Sequence, residues 1–315
     1  MTRPIALVAG ASRGLGLLIA RELGRSGYRL VICARDASEL QRAADDLRER
    51  GYEVSTQVCD VADNDAVTAL VRHTEDEVGP IDVLICVAGV IQVGPLAALD
   101  RSHFEDAVSI MLWGPINTAL AVVGPMRQRR RGRIGIVSSI GGLVSVPHLL
   151  PYSTAKFGAV GFARGLRAEL AGSGVSVTTI TPGLMRTGSH YRAKFVGQQA
   201  AELAWFGAGA SLPGMSMDAE RAATRIVDAV LAGKAQLILT PLAHVGMRLN
   251  GMAPNLTAVL MNVAGRVLPK APAQADGTTL EGWEAEGALR PGARKLFRGI
   301  TVLGARAADR FNQSR

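Results

Sequence analysis

From residue 5 to about residue 240, short apolar runs alternate with longer stretches in which apolar residues recur every three or four positions. The runs at 5–9, 29–33, 54–58, 83–87, 134–137, 175–180 and 236–239 have the length and composition of strands. The stretches between them predict helices. The first runs from the glycine-rich turn after residue 9 to Ser26, and the second covers 38–50, with Ser38 or Asp36 as its N-cap. Others cover 63–77 and lie near 103–128, 152–171 and 218–232. Strands that are apolar on both faces and joined by helices belong to a parallel sheet covered on both sides. The expected fold is α/β: a Rossmann-like, doubly wound parallel sheet of about seven strands in three α/β/α layers. Right-handed crossovers gather the C-terminal strand ends at one edge, where ligands of such sheets bind.

Two regions leave this pattern. Residues 181–217 follow a strand end and are rich in Gly, Met and aromatic residues such as Trp205 and Phe206, as a lid over a substrate would be. Residues 241–315 lie beyond the last strand. Among them Leu256, Val259, Leu260, Val263 and Val267 share one helical stripe, and 270–292 reads as loop. From Ala293 onward Arg294, Lys295, Arg298, Arg306 and Arg310 mix with Leu296, Phe297, Ile300 and Leu303. The expected division is therefore one unit over 1–240, lid included, and a helical extension over 241–315. There is no internal repeat.

At 315 residues the chain buries about 75% of its unfolded surface, so its core requires neither disulfides nor a metal. Cys33, Cys59 and Cys86 lie in strand-like contexts without C-x-x-C spacing and read as buried thiols in a reducing compartment. The start, Thr2-Arg3-Pro4-Ile5, lacks the form of a signal peptide. No run reaches the roughly 18 apolar residues of a membrane span. The net charge of +8 directs attention to anionic partners. The densest basic run, Arg127, Arg129, Arg130, Arg131 and Arg133, reads as a solvated helix end, and aromatic residues are too scarce for a nucleic-acid surface. The basic and apolar stretch after Ala293 would pack on the core or a partner subunit, cover the pocket, or lie on an anionic membrane surface. A cytoplasmic location is expected, with peripheral membrane contact left open.

Candidate chemistry begins in the turn Gly10-Ala11-Ser12-Arg13-Gly14-Leu15-Gly16, between the first strand and the first helix. Gly10 permits the tight turn, Gly14 lets the backbone approach a pyrophosphate, and Gly16 lets helix pack on strand. The helix start supplies N–H groups and a positive dipole end to phosphates. After the second strand, an NAD site places a carboxylate for the ribose hydroxyls, whereas a 2′-phosphate needs a cation. Here stands Arg35, with Arg13 in the turn beside it, and a guanidinium fork suits a phosphate. The cofactor expected is NADP(H). Tyr152 and Lys156 are four residues apart, on one face of a helix. An ammonium there favours the phenolate and brings the phenol towards neutrality as an acid–base group. Ser139, just past a strand, would hold a substrate carbonyl. His148 and His190 flank this pocket and read as structural; Met185, Met215 and Met217 read equally as pocket lining or lid packing.

Taken in order, these segments resemble the short-chain dehydrogenase/reductase superfamily over residues 5 to about 240. The glycine turn, Asp60-Val61, Ala88-Gly89, Ser139, Tyr152 with Lys156, and Pro182-Gly183 with Thr187 carry the resemblance. It implies that Tyr152 donates or accepts the proton, Lys156 binds the nicotinamide ribose and depresses the Tyr152 pKa, and Ser139 stabilises the carbonyl. It also implies adenine contacts from Asp60 and Val61, a carboxamide contact from Thr187, B-face hydride transfer, and a dimer or tetramer. The departures are specific. Cys86-Val87 replaces the family's Asn pair before Ala88-Gly89, and Ala9 replaces the Thr that opens the glycine motif. Met111 stands where the family's catalytic Asn holds a water behind Lys; either proton exchange slows, or Ser109 or another polar group holds that water. The expected function is interconversion of a ketone and a secondary alcohol on a fairly hydrophobic small molecule. Two alternatives stay open: a nucleotide-binding protein with little turnover because of Met111, and a membrane-surface enzyme held by 293–315.

Overall fold

The computed structural model describes residues 3–271 and 277–313. Its centre is a parallel sheet of β1 (Ile5–Ala9), β2 (Arg29–Ala34), β3 (Val54–Val58), β4 (Ile81–Cys86), β5 (Gly132–Val137), β6 (Val175–Pro182) and β7 (Gln236–Leu239). The strand order is β7-β6-β5-β4-β1-β2-β3, so the direction of winding reverses between β4 and β1. One core layer packs α1 (Gly14–Arg25), α2 (Ala37–Glu49) and α8 (Ala219–Leu231) on the sheet. The other packs α3 (Asn64–His73), α5 (Gly114–Gln128) and α6 (Leu150–Glu169). This is the expected Rossmann-like three-layer fold, and its switch point puts a cleft beyond Ala9 and Cys86.

Local chemistry accounts for the element ends. Asp36 caps α2, accepting from the Glu39 amide at 2.8 Å, while Ser38 spends its hydroxyl on Asp36 at 2.7 Å and is not the cap. Asp63 and Asp218 cap α3 and α8 in the same way. Helix α1 has no side-chain cap at Arg13, which leaves first-turn amides for other partners. The predicted helix near 103–128 is α4 (Arg101–Val108), a wide turn over 109–113, and α5. As one apolar unit, Arg101–Gln128 is long enough to cross a membrane, yet half of its most apolar window is buried inside the fold, as in a core helix.

The lid region is ordered by pairing. Leu184–Arg186 runs parallel to Ser216–Asp218, Lys194–Val196 pairs with Gln92–Val93, and α7 (Gln199–Ser211) lies between. Beyond β7 come α9 (Pro241–Met252), α10 (Pro254–Val267), α11 (Gly282–Gly287), α12 (Pro291–Ile300) and α13 (Val302–Arg310). The loop expected over 270–292 instead contains Thr279–Glu281, antiparallel to Lys194–Val196, and α11; its residues 272–276 lie outside the described residues. The stretch after Ala293 packs inward. Phe297 is buried against α7, and Ala307 and Phe311 join the main core.

At the switch point the backbone is too close for side chains. A Cβ on Gly16 would lie 2.0 Å from the Gly10 carbonyl oxygen. Gly16→Ala is therefore expected to cost at least about 2 kcal/mol, lowering Tm by roughly 4 °C or more, as thermal denaturation would measure; an unchanged Tm would show that helix and turn separate freely.

Candidate active site

A cavity of about 1190 Å³ runs along the carboxyl edge of the sheet from the glycine turn to the lid. Every residue singled out above as a catalytic or cofactor contact lines it except Gly14. At its nucleotide end the turn is held by Gly10, with φ of +91°. A Cβ there would lie 2.5 Å from the Ala88 amide nitrogen, so the turn and the end of β4 form a cradle that any side chain would fill. Such a cradle, with Ser12, Leu15 and Gly16 beside it at a helix start, fits a dinucleotide's phosphates.

The cations around the cradle are partnered. Arg13 reaches Glu39 through Nη1 at 2.7 and 2.9 Å, and Arg192 stands 3.3 Å from the same carboxylate. Arg35 is held only loosely, 3.7 Å from Asp60, with its side chain 59% exposed. Gly14 is covered. Its amide donates to the Phe311 carbonyl at 2.8 Å, and Gln313 fills the space where a Cβ would be. Asn312 Nδ2 donates to the carbonyls of Ser12 at 2.7 Å and Glu39 at 3.1 Å, tying this tail to both sides of the turn. Sequence reasoning missed Glu39, Arg192, Asn312 and Gln313. Glu39 had a faint signal in its place three residues after the Asp36 cap; the other three reach the site by long-range packing and had none.

The catalytic end is built by β5 and α6. Ser138 donates to the Lys156 carbonyl at 2.8 Å, fixing the helix against the end of the strand. Ser139 then accepts from the Gly141 amide at 3.1 Å, in a tight turn over Ile140–Gly142. Tyr152, in the first turn of α6, sets its ring against Gly141 beside the Ser139 hydroxyl. Lys156, one turn on, is 4% exposed, and its Nζ lies 5.7 Å from the Tyr152 ring centre and donates to the Val137 carbonyl at 2.9 Å. Burial lowers the Lys156 pKa to about 8. Burial likewise raises the Tyr152 pKa, and the nearby Ser139 hydroxyl only partly opposes it. Burial therefore holds Tyr152 above the usual phenol range, not below it as the neighbouring ammonium led one to expect. Tyr152 stands as a neutral phenol, a proton donor.

The departures from the family pattern are visible here. Met111 is fully buried and lines the cavity beside Gly89; a Cβ on that glycine would lie 3.5 Å from Met111 Sδ and 3.8 Å from Lys156 Nζ. Ser109 does not replace the absent carboxamide, since its hydroxyl donates to the Asp106 carbonyl of its own helix at 3.1 Å. At the end of β4, Cys86 Sγ meets Thr118 Oγ1 at 3.1 Å, which links strand to helix where the family has Asn.

The far end of the cavity is apolar, lined by Val144, Leu149, Trp205, Phe206, Met215 and Met261. Met185 also lines it, whereas Met217 packs on the core. Neither predicted histidine faces the cavity. His148 meets buried Glu202 at 2.9 Å, which also accepts from Trp205 Nε1 at 2.7 Å. His190 is buried against Tyr191 and Phe297, and burial pushes its pKa down to about 4.

Residues 4–194 match the family description "short chain dehydrogenase". A Streptomyces coelicolor protein named as a ketoacyl reductase is 40% identical over 185 residues, covering 58% of this chain and 71% of the relative. The gluconate 5-dehydrogenase of Gluconobacter oxydans is 34% identical over 182 residues, covering 58% and 71%. Among solved structures, a variant of actinorhodin polyketide ketoreductase with NADPH superposes with a TM-score of 0.66 at 31% identity, covering 78% of this chain and 97% of that one.

Asn312→Ala removes two donations onto buried carbonyls. A loss of about 1–3 kcal/mol is expected in chemical denaturation, with faster amide exchange at Gly14; unchanged exchange there would show that the tail does not hold the turn.

Proposed function

The chain belongs to the short-chain dehydrogenase/reductase family and is an oxidoreductase, and we propose that it uses NADP(H) to interconvert a ketone and a secondary alcohol on a fairly hydrophobic small molecule. One observation carries this reading: Ser139, Tyr152 and Lys156 meet where a glycine cradle and an apolar chamber open into the same cavity. The likeness to a protein named as a ketoacyl reductase and to a ketoreductase with NADPH supports it.

A nicotinamide held by Lys156 and Thr187 would supply the hydride to the carbonyl carbon. Ser139 Oγ holds the carbonyl oxygen and orients it. Tyr152, neutral at pH 7, gives its proton to that oxygen, a contribution of about 10²–10⁴-fold. Lys156, still cationic at neutrality, stabilises the phenolate that remains. Asp60 and Val61, which line the cavity, would flank the adenine. Arg35, exposed and loosely paired, takes the 2′-phosphate, with Arg13 beside it. We also expect a homo-oligomer, since Trp113, Leu120 and Phe157 leave large apolar side chains exposed on the α5–α6 side. Met111 supports a second reading, a nucleotide-binding protein with little turnover, because a thioether holds no water for Lys156. NADPH binding without oxidation across a broad ketone panel would favour that reading.

Tyr152→Phe is expected to lower kcat at least about 100-fold with NADPH affinity kept, in steady-state assays and fluorescence titration; unchanged kcat would refute the mechanism. Arg35→Ala is expected to weaken NADPH but not NADH binding, and equal loss for both would refute the phosphate assignment. Reduction should decline as pH rises through about 8, where Lys156 loses its charge. The stability linkage of this group runs the other way. Its folded pKa lies below the unfolded 10.5, so between the two the folded chain holds fewer protons and stability from Lys156 rises with pH. A pH–rate profile flat to pH 9.5 would contradict the assignment.

A further inference from the structure

The hairpin of α9 and α10 is apolar on both faces. Its inner face, with Ala243, Gly246, Met261 and Ala264, closes the substrate end of the cavity. Asn250 Nδ2 donates to the Leu143 carbonyl at 3.0 Å and holds α9 beside the turn that follows Ser139. A helix that covers a core normally presents polar residues outward. Here the outer stripe is Val245 and Met252 on α9 and Val259, Leu260, Val263 and Val267 on α10, exposed by 44% at Leu260 to 86% at Met252. Only Ala243 in α9 and Thr257 in α10 are buried. Contiguous apolar surface of this kind marks an interaction face.

Charge selects the partner. Residues 229–275 contain no Asp or Glu, and Arg248, Arg266 and Lys270 on and just after the hairpin are exposed. A second copy docked symmetrically would set these cations against themselves with no carboxylate in the face to pair them. An anionic lipid surface supplies hydrocarbon for the stripe and negative charge for the cations. At about 1.5 Å per residue, neither helix spans the roughly 30 Å hydrocarbon core, so each would lie in the interface plane.

We propose that the α9–α10 hairpin seats this protein on an anionic lipid surface, which brings the apolar end of the cavity that it covers next to the bilayer. A hydrophobic substrate then passes between lipid and active site without crossing water; this route rests on the proposed function, whereas the seating does not.

The test is co-sedimentation of the full chain with vesicles of equal parts phosphatidylcholine and phosphatidylglycerol, against phosphatidylcholine alone. Binding to the anionic vesicles, weakened by salt, is expected, with at least about tenfold less to the neutral ones, since three cations contribute about fivefold each. The double variant Val259→Asp, Val263→Asp, at exposed positions outside the cavity, should lose binding more than tenfold and keep its NADPH affinity and Tm. Arg248→Gln with Arg266→Gln should lose binding to anionic vesicles alone. The proposal is overturned if the native chain ignores both vesicles, if the Asp variant binds equally well, or if that variant drops to a smaller oligomer in lipid-free sedimentation, which would make the face a subunit interface. Reduction of a water-soluble ketone without vesicles tests the activity separately, so failure of either reading leaves the other standing.

Discussion

The lack of room for a Cβ at Gly10 and Gly16 is the constraint on which the rest of this structure depends. Gly10 packs its bare Cα against Ala88, and Gly16 packs against Gly10 itself. These contacts draw β1, β4 and α1 together at the point where the sheet reverses its winding. The strand ends carrying Arg35, Asp60 and Ala88, and the turn carrying Ser139, are then fixed around one cleft. A side chain at either glycine would push helix from sheet, and the same displacement would open the cradle. Stability and ligand geometry therefore share one set of van der Waals contacts.

The second organising feature is desolvation at the catalytic end. Lys156 is buried with its Nζ donating to the Val137 carbonyl, and Tyr152 lines the same end of the cavity. Burial lowers the ammonium and raises the phenol, so each group is driven towards its neutral form. A proton on Tyr152 and a positive charge on Lys156 coexist below about pH 8. That pairing suits a group that must first give a proton and then be stabilised as an anion. Met111, fully buried and lining the same cavity, places a thioether where the family's carboxamide would bring a polar group.

Much of this was legible along the chain because it depends on local pattern. Strand spacing, helix length and the G-x-x-x-G-x-G turn are short-range signals, and they predict about seven strands, the ligand-binding edge of the sheet and much of the cavity's lining. Tyr152, Lys156 and Ser139 could be placed together because helix periodicity and strand ends dictate their positions. The misses share one physical cause. Glu39 turns towards the glycine loop instead of capping its helix, and Gly14 meets a tail from the far end of the chain. Such contacts are set by tertiary packing, which no local period encodes. The direction of the Tyr152 shift was misjudged for a related reason: spacing reveals the neighbouring charge but not the depth of burial.

The two arginines at the nucleotide end show why an identical residue type carries different weight in one site. Glu39 is buried, and a buried carboxylate must keep a cation beside it. Arg13 therefore has a structural duty in the absence of any ligand, with Arg192 sharing it. A phosphate approaching Arg13 competes with a carboxylate already within hydrogen-bond distance. Arg35 has no such obligation: its partner Asp60 is 3.7 Å away, and both side chains are well exposed. A solvent-screened pair of that kind contributes little, so recruiting Arg35 costs little. If the cofactor is NADP(H), as proposed, discrimination for its 2′-phosphate would fall on Arg35, while Arg13 holds the glycine turn against α2 and keeps the charge on Glu39 compensated.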